Sequence, residues 1–139
     1  MQAATAYIIG IKIVVTLLYI NFCYTIYSMM NATLCTTNNT EPWAANVNFE
    51  INGANLSTTL KIKYAHYSNL KTNNHVVIVY QGKDHELIIK ALATVVEVSK
   101  EEAKVLFEAT WLRLVKAGKV SDFKEESDIL FALNSLNQA

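Results

Sequence analysis

Residues 47–64 of the chain, VNFEINGANLSTTLKIKY, carry its plainest structural signal. Apolar and polar residues alternate on both sides of Asn52-Gly53-Ala54-Asn55, with the two-residue period of a strand that has one face in water. The apolar positions of the two runs are Val47, Phe49, Ile51, Leu60, Ile62 and Tyr64. Because Gly and Asn tolerate a positive φ, the tetrapeptide between the runs favours a tight turn. The stretch therefore predicts a β-hairpin.

The chain beyond this hairpin is predicted to add one strand and then helices. Val76 to Tyr80 is a β-branched run typical of a central strand. Apolar residues from Leu87 to Val96 recur at helical spacing after Asp84, a candidate N-cap, so a helix is predicted there.

A second helix is predicted from Ser99, which forms a capping-box pattern with Glu102 and would be ended by Gly118. Asp122 and Glu125 would open a last helix. These elements predict an α+β fold, in which residues 46–139 form a small antiparallel sheet with two or three C-terminal helices packed on one face.

The N-terminal part has a different composition. Tyr7 to Met30 are 24 mostly apolar residues, which as a helix would cover roughly 36 Å at about 1.5 Å per residue, enough for a hydrocarbon layer of about 30 Å. We therefore expect residues 1–30 to be a transmembrane-type signal-anchor helix and residues 31–45 to be a polar tether. Lys12 is the one charged residue before Glu41, and it predicts a cytoplasmic N-terminus and an exoplasmic C-terminal domain.

Two alternatives stay open for this leader. It could be a cleaved secretory signal, although Met30 and Trp43 stand where small residues would be needed for cleavage after Ala32 or Ala45. It could also be a buried core helix. The first alternative would make the protein a secreted binding domain.

Two Asn-x-Ser/Thr triplets in the exported part are candidate glycosylation sites. They begin at Asn38 and Asn55, and in an exported protein such triplets lie on the surface. The sequence thus predicts a glycoprotein, in agreement with the expected exoplasmic location.

The second predicted helix has more apolar surface than one sheet face can cover. Trp111, Leu112 and Val115 widen its apolar stripe, and exposed apolar surface can mark a protein contact. We therefore expect these three residues to contact a protein partner or a second copy of the chain.

No catalytic, cofactor-binding or metal-binding constellation is recognisable in the sequence. His66 and His75 flank a predicted loop and could assemble the site of a small enzyme, whereas Asp84 and Glu86 are predicted to cap and solvate a helix start. Lys61, Lys63 and Lys71 with Tyr64 and Tyr67 are interpreted as an exposed sheet face. Twelve basic and twelve acidic residues give zero net charge, so no nucleic-acid partner is expected.

These observations together predict a non-enzymatic, single-pass membrane protein without a cofactor. Its exoplasmic domain would serve assembly or protein binding, as a structural or accessory subunit of an envelope or membrane complex. Its partners would be the membrane and a protein partner or a homo-oligomer.

Overall fold

The structure of the chain is a computed structural model that describes residues 29–134. These residues form seven β-strands and two short α-helices, and the strand pairings are antiparallel. In chain order the elements are β1 Met29–Thr37, β2 Pro42–Asn52, β3 Asn55–Lys61, α1 Ala65–Thr72, β4 His75–Gln81, β5 His85–Val98, β6 Glu102–Lys116, β7 Lys119–Phe123 and α2 Glu126–Asn134.

The first six strands close on themselves as a barrel. Their order is β3-β2-β1-β4-β5-β6, and β3 also pairs with β6, which joins the two ends of the sheet. β7 extends the sheet outside this ring by pairing with the second half of β6. Closure leaves fewer exposed strand edges than an open sheet of this size would have.

The predicted hairpin is confirmed between β2 and β3. Asn52 pairs with Asn55, and Gly53 in the turn has φ +66°. The two strands stay paired only as far as Glu50, because β2 then continues along β1 and β3 continues along β6. Beyond these few residues next to the turn, β2 and β3 are not paired with each other, and the barrel wall is open between them. Helix α1 follows β3 and packs against β1 and β3.

The barrel interior is filled by alternate residues of every strand of the ring. At its centre the rings of Phe49 and Phe107 meet edge to face, with centroids 5.4 Å apart and an interplanar angle of 75°. Such aromatic pairs add stabilisation beyond the apolar area that they bury. The largest fully buried side chains are Phe49, Phe107, Leu34, Leu56, Ile78, Leu87, Ile89, Leu112, Ile129, Leu133 and Val105.

The helices predicted after Asp84 and Ser99 are wrong, because these residues form the two longest strands, β5 and β6. In β6, Ala103, Val105 and Phe107 are buried in the two-residue alternation of a strand. This strand is paired on both sides, with β5 on one side and with β3 and β7 on the other. Pairing with neighbouring strands along both edges overrides a local helical pattern of this kind.

The residues predicted to begin and end the second helix, Ser99 with Glu102 and Gly118, lie in β-turns instead. The Ser99 backbone N–H donates to the Glu102 carbonyl at 2.8 Å, and the Glu102 N–H donates to Ser99 Oγ at 3.3 Å, which closes the β5–β6 turn. Gly118 has φ +77° in the β6–β7 turn, beside Ala117 at +53°. Helix caps and turns use the same side-chain chemistry. The predicted α+β fold with C-terminal helices packed on a sheet is therefore wrong, and a barrel takes its place.

The predicted leader, residues 1–30, overlaps the described part of the chain only at residues 29 and 30. Met29 and Met30 belong to β1, and the rest of residues 1–30 lies outside the described range. Residues 31–45, expected to be a tether, contain most of β1 and the start of β2. Polar side chains pair across these strands, as where Asn31 Nδ2 donates to Asn48 Oδ1 at 2.8 Å. Within residues 29–134 no helix has the length and apolar character needed to cross a membrane.

Candidate functional site

A cleft of about 500 Å³ opens where β2 and β3 separate. We call it the split cleft. Its volume lies within the range of about 300–1,000 Å³ that is usual for small-molecule sites. Its polar lining residues come from β2, β3, the segment that enters α1, and β6: Asn46, Asn48, Glu50, Ser57, Thr58, Thr59, Lys61, Tyr64, His66, Glu102 and Lys104.

The split cleft is lined by two lysines and two glutamates, of which Glu50 is partly exposed and the other three are exposed. Lys61 and Lys104 are exposed, and Lys61 is opposite Glu102 across the β3–β6 ladder. Neither lysine has a carboxylate within 4 Å in the described part of the chain, where the ion pairs of that length are Asp84–His85 and Arg113–Asp122. Both ammonium groups are therefore available to an anionic ligand.

The N-terminus of α1 opens on the same cleft. Its N-cap residue, Tyr64, has extended backbone angles and makes no side-chain capping hydrogen bond, and the first turn contains no acidic residue. Backbone N–H groups and the helix dipole give such an end a partial positive charge. The Tyr64 side chain is 52% exposed, so an aromatic face is present beside this charge.

A cluster of three buried polar residues, Thr36, His66 and Asn69, adjoins the split cleft, and His66 is the member that lines it. His66 is 3% exposed, and its Nδ1 lies 2.7 Å from Thr36 Oγ1. Asn69 Nδ2 donates to the same oxygen at 3.1 Å. The second ring nitrogen, His66 Nε2, is buried and has no hydrogen-bond partner. Burial lowers the pKa of His66, so the imidazole is neutral near pH 7.

A second cavity, of about 380 Å³, lies on the outside of the barrel where β1, β4 and β5 adjoin. We call it the outer groove. Cys35, His75 and Lys90 are among its lining residues. Burial raises the pKa of the Cys35 thiol, which keeps it protonated. The His75 side chain is exposed, and only its backbone N–H has a side-chain partner, Asn73 Oδ1 at 3.0 Å.

The three residues expected to contact a partner do not share one face. Leu112 is fully buried in the core, whereas Trp111 and Val115 are partly exposed. The Trp111 ring lies between two cations, with Lys90 Nζ 4.8 Å and Arg113 Cζ 5.1 Å from its centroid. Contact of Trp111 and Val115 with a partner stays a prediction, and the place of Leu112 in the core leaves it no surface for one.

The two candidate glycosylation sites are at strand ends. Asn38 is exposed in the β1–β2 turn, where its Oδ1 accepts hydrogen bonds from the Thr40 N–H at 3.0 Å and the Glu41 N–H at 2.9 Å. Asn55 begins β3 and is partly exposed. Their glycosylation stays a prediction.

The histidines do not converge. His66 lines the split cleft, His75 lines the outer groove, and His85 begins β5 with its Nδ1 2.9 Å from Asp84 Oδ1. Among residues 29–134 no group of three His, Cys, Asp or Glu side chains could hold a metal ion. The site around His66 and His75 that the sequence suggested is therefore divided between two cavities.

Sequence reasoning missed the split cleft, although part of its signal was visible. The run Ser57-Thr58-Thr59 places three hydroxyl groups just before Leu60 and Lys61. Lys61 and Tyr64 were interpreted as an exposed sheet face, whereas they line the cleft. Thr36, 30 residues before His66, could not be connected to it without the fold.

Comparison with known proteins identifies the fold. No family model matches the chain, and no curated protein matches it. Solved structures do match. A heme-binding protein from Mycobacterium smegmatis is 15% identical, with a TM-score of 0.63 over 78% of this chain and 58% of that one. This chain thus spans just over half the length of the mycobacterial protein.

Two further solved structures match this chain over most of their own length. A protein of the pyridoxinephosphate oxidase family from Clostridium acetobutylicum is 13% identical, with a TM-score of 0.60 over 81% of this chain and 96% of that one. HutZ, the heme storage protein from Vibrio cholerae, is 14% identical, with a TM-score of 0.51 over 66% and 87%. At these identities the likeness shows the fold alone, that of barrels similar to pyridoxamine 5'-phosphate oxidase.

The prediction of a non-enzymatic, single-pass membrane protein is wrong. The architecture that led to it, an anchor followed by a small sheet with helices, is not the one that residues 29–134 adopt. Their barrel resembles heme-binding and pyridoxinephosphate oxidase family proteins. The predicted membrane partner, the exoplasmic or secreted location and the role as a structural subunit of a membrane complex are withdrawn with it.

Proposed function

We propose that this chain binds a planar, phosphate-bearing cofactor of the flavin mononucleotide kind in the split cleft. The observation that carries the proposal is the N-terminus of α1, which lacks both a side-chain cap and an acidic residue and opens on the cleft beside two unpaired lysines. Helix N-termini of this kind bind phosphate through backbone N–H groups and the helix dipole.

The lining residues fit the parts of such a ligand. The N-terminus of α1 with Lys61 and Lys104 would hold the phosphate, and the Thr59 hydroxyl would add a hydrogen bond along the ribityl chain. The Thr58 hydroxyl donates to the Asn48 carbonyl at 2.7 Å and would only accept from the ligand. Tyr64 offers an aromatic face to the ring. A bound flavin would supply hydride and single-electron transfer. The fold shared with a pyridoxinephosphate oxidase family protein supports the proposal.

Titration with FMN and with riboflavin tests this proposal, because riboflavin lacks the phosphate. We expect FMN to bind and riboflavin to bind more weakly, and Lys61→Ala to weaken FMN binding about 10-fold, as for a hydrogen bond to a charged group. The matched control is Lys83→Ala, an exposed lysine in the β4–β5 turn. Equal affinity for FMN and riboflavin, or equal effects of the two lysine variants, would contradict the proposal.

A second candidate, heme in the outer groove, is favoured by one observation. The exposed imidazole of His75 lines that groove and could serve as an axial ligand, whereas the protonated Cys35 thiol is a poor one. Heme-binding proteins share the fold. Titration with hemin, followed by the Soret band, should then show binding that is lost in His75→Ala and kept in His85→Ala. Hemin affinity that is the same in the unsubstituted chain, His75→Ala and His85→Ala would contradict this candidate.

A further inference from the structure

The hydroxyl of Thr36 fixes the protonation pattern of the His66 ring. A threonine hydroxyl carries one proton and two lone pairs. The Asn69 amide donates to one lone pair of Thr36 Oγ1, at 3.1 Å. The other contact of this 3%-exposed side chain is His66 Nδ1, at 2.7 Å. If Nδ1 carried a proton, the hydroxyl would accept twice, and both its own buried proton and the Nε2 lone pair would lack a partner. If the hydroxyl donates to Nδ1, the Nε2 proton alone lacks one, which costs less. The Thr36 hydroxyl therefore donates to Nδ1.

This assignment leaves the proton of the neutral ring on Nε2. His66 is then a buried N–H donor whose hydrogen bond is not made within residues 29–134. Buried donors without an acceptor are rare in native proteins, and a bound water, ion or ligand is the usual source of the acceptor. Because His66 is one of the residues that line the split cleft, a ligand in the cleft can supply the missing acceptor.

We propose that His66 Nε2–H donates a hydrogen bond to an uncharged acceptor on the ring of the ligand in the split cleft, and that Thr36 is a positioning residue that holds His66 in the required tautomer. The proposal rests on the proposed function and adds a specificity-determining residue to it. We assign His66 to the edge of the ligand's ring and not to its phosphate. The phosphate is a dianion, and the exposed ammonium groups of Lys61 and Lys104 stabilise it better than the buried, neutral imidazole of His66 would.

The tautomer can be measured without any ligand. Nitrogen-15 NMR of the full chain should show a protonated Nε2 and an unprotonated Nδ1 for His66, and in Thr36→Val the two nitrogens should lose this distinction. A purely structural role of Thr36 would not change the tautomer. A protonated Nδ1 in the unsubstituted chain would overturn the assignment, whatever the cleft binds.

Binding tests the second half of the proposal, with FMN and riboflavin as the probes. His66→Leu, which removes the donor, should weaken binding of both probes about 10-fold, the equivalent of one hydrogen bond. His66→Gln, which can place an amide N–H near the same point, should stay within about threefold. His85→Leu is the matched control and should bind as the unsubstituted chain does. Thermal unfolding of each variant establishes that it is folded.

The outcomes separate the two proposals. Loss of affinity for FMN alone in His66→Leu would place the donor at the phosphate and overturn the ring assignment. Unchanged affinity for both probes would overturn the role of His66 while the proposed function stands. Should the unsubstituted chain bind neither probe, the proposed function fails, and with it the role of His66 toward this ligand.

Discussion

The two sides of the barrel differ in how completely their backbones are paired. On one side, β4, β5 and β6 form a continuous wall, with β5 paired to β6 over almost its whole length. On the other, β2 and β3 are paired only from Glu50 to Asn52 and from Asn55 to Ser57. The wall contributes six of the eleven largest fully buried side chains. The split side carries two exposed lysines without an ion-pair partner among residues 29–134, and a buried His66 Nε2 without a hydrogen-bond partner there. The main ligand proposal therefore concerns the split side, whereas the larger share of the core lies in the wall.

The largest effect is expected in the continuous wall. Phe107→Ala removes a fully buried ring that packs on Phe49 and should lower the free energy of unfolding by about 3–5 kcal/mol. Urea denaturation measures the loss, with the exposed neighbour Glu108→Ala as its control. A loss no larger than that of the control would show that the wall does not carry the stability.

A smaller, pH-dependent effect is expected on the split side. Burial lowers the pKa of His66 in the folded state, so its contribution to stability is fully present above the unfolded-state pKa of about 6.5 and is lost as the pH falls below it. Thermal unfolding between about pH 5 and pH 8 should show this loss in the unsubstituted chain but not in His66→Gln. His75→Gln is the exposed control. A constant difference between the unsubstituted chain and His66→Gln across this range would contradict the prediction.

The smallest effect is expected on the outer surface of the wall. Arg113 donates to both carboxylate oxygens of Asp122, at 2.7 and 2.9 Å, and this holds the pKa of Asp122 below its usual range. Exposed pairs of this kind contribute little. Asp122→Asn should lower the unfolding temperature slightly at neutral pH, and the difference should vanish as the pH falls through the folded-state pKa of Asp122. A difference that grows in acid would reverse the sign of this interaction.

The same two sides show what the sequence can reveal. The β2–β3 hairpin was predicted because its alternation and its turn residues lie within one short stretch. β5 and β6 were mistaken for helices because their apolar residues also recur at helical spacing, and one segment by itself does not reveal its partner strands, as with Val105, which pairs with Val95 and Thr58. The split cleft was missed for the same reason. It exists only because β2 and β3, which are neighbours in sequence, pair along most of their length with β1 and β6 and not with each other.

The most direct test of the split cleft is a map of where FMN binds. In backbone-amide NMR of the full chain titrated with FMN, we expect the largest shifts at Ser57 to Lys61 and at Tyr64 to His66, with little change at Cys35, His75 and Lys90. Shifts concentrated on those last three residues would place the ligand in the outer groove and contradict the account, as would a titration that moves neither set.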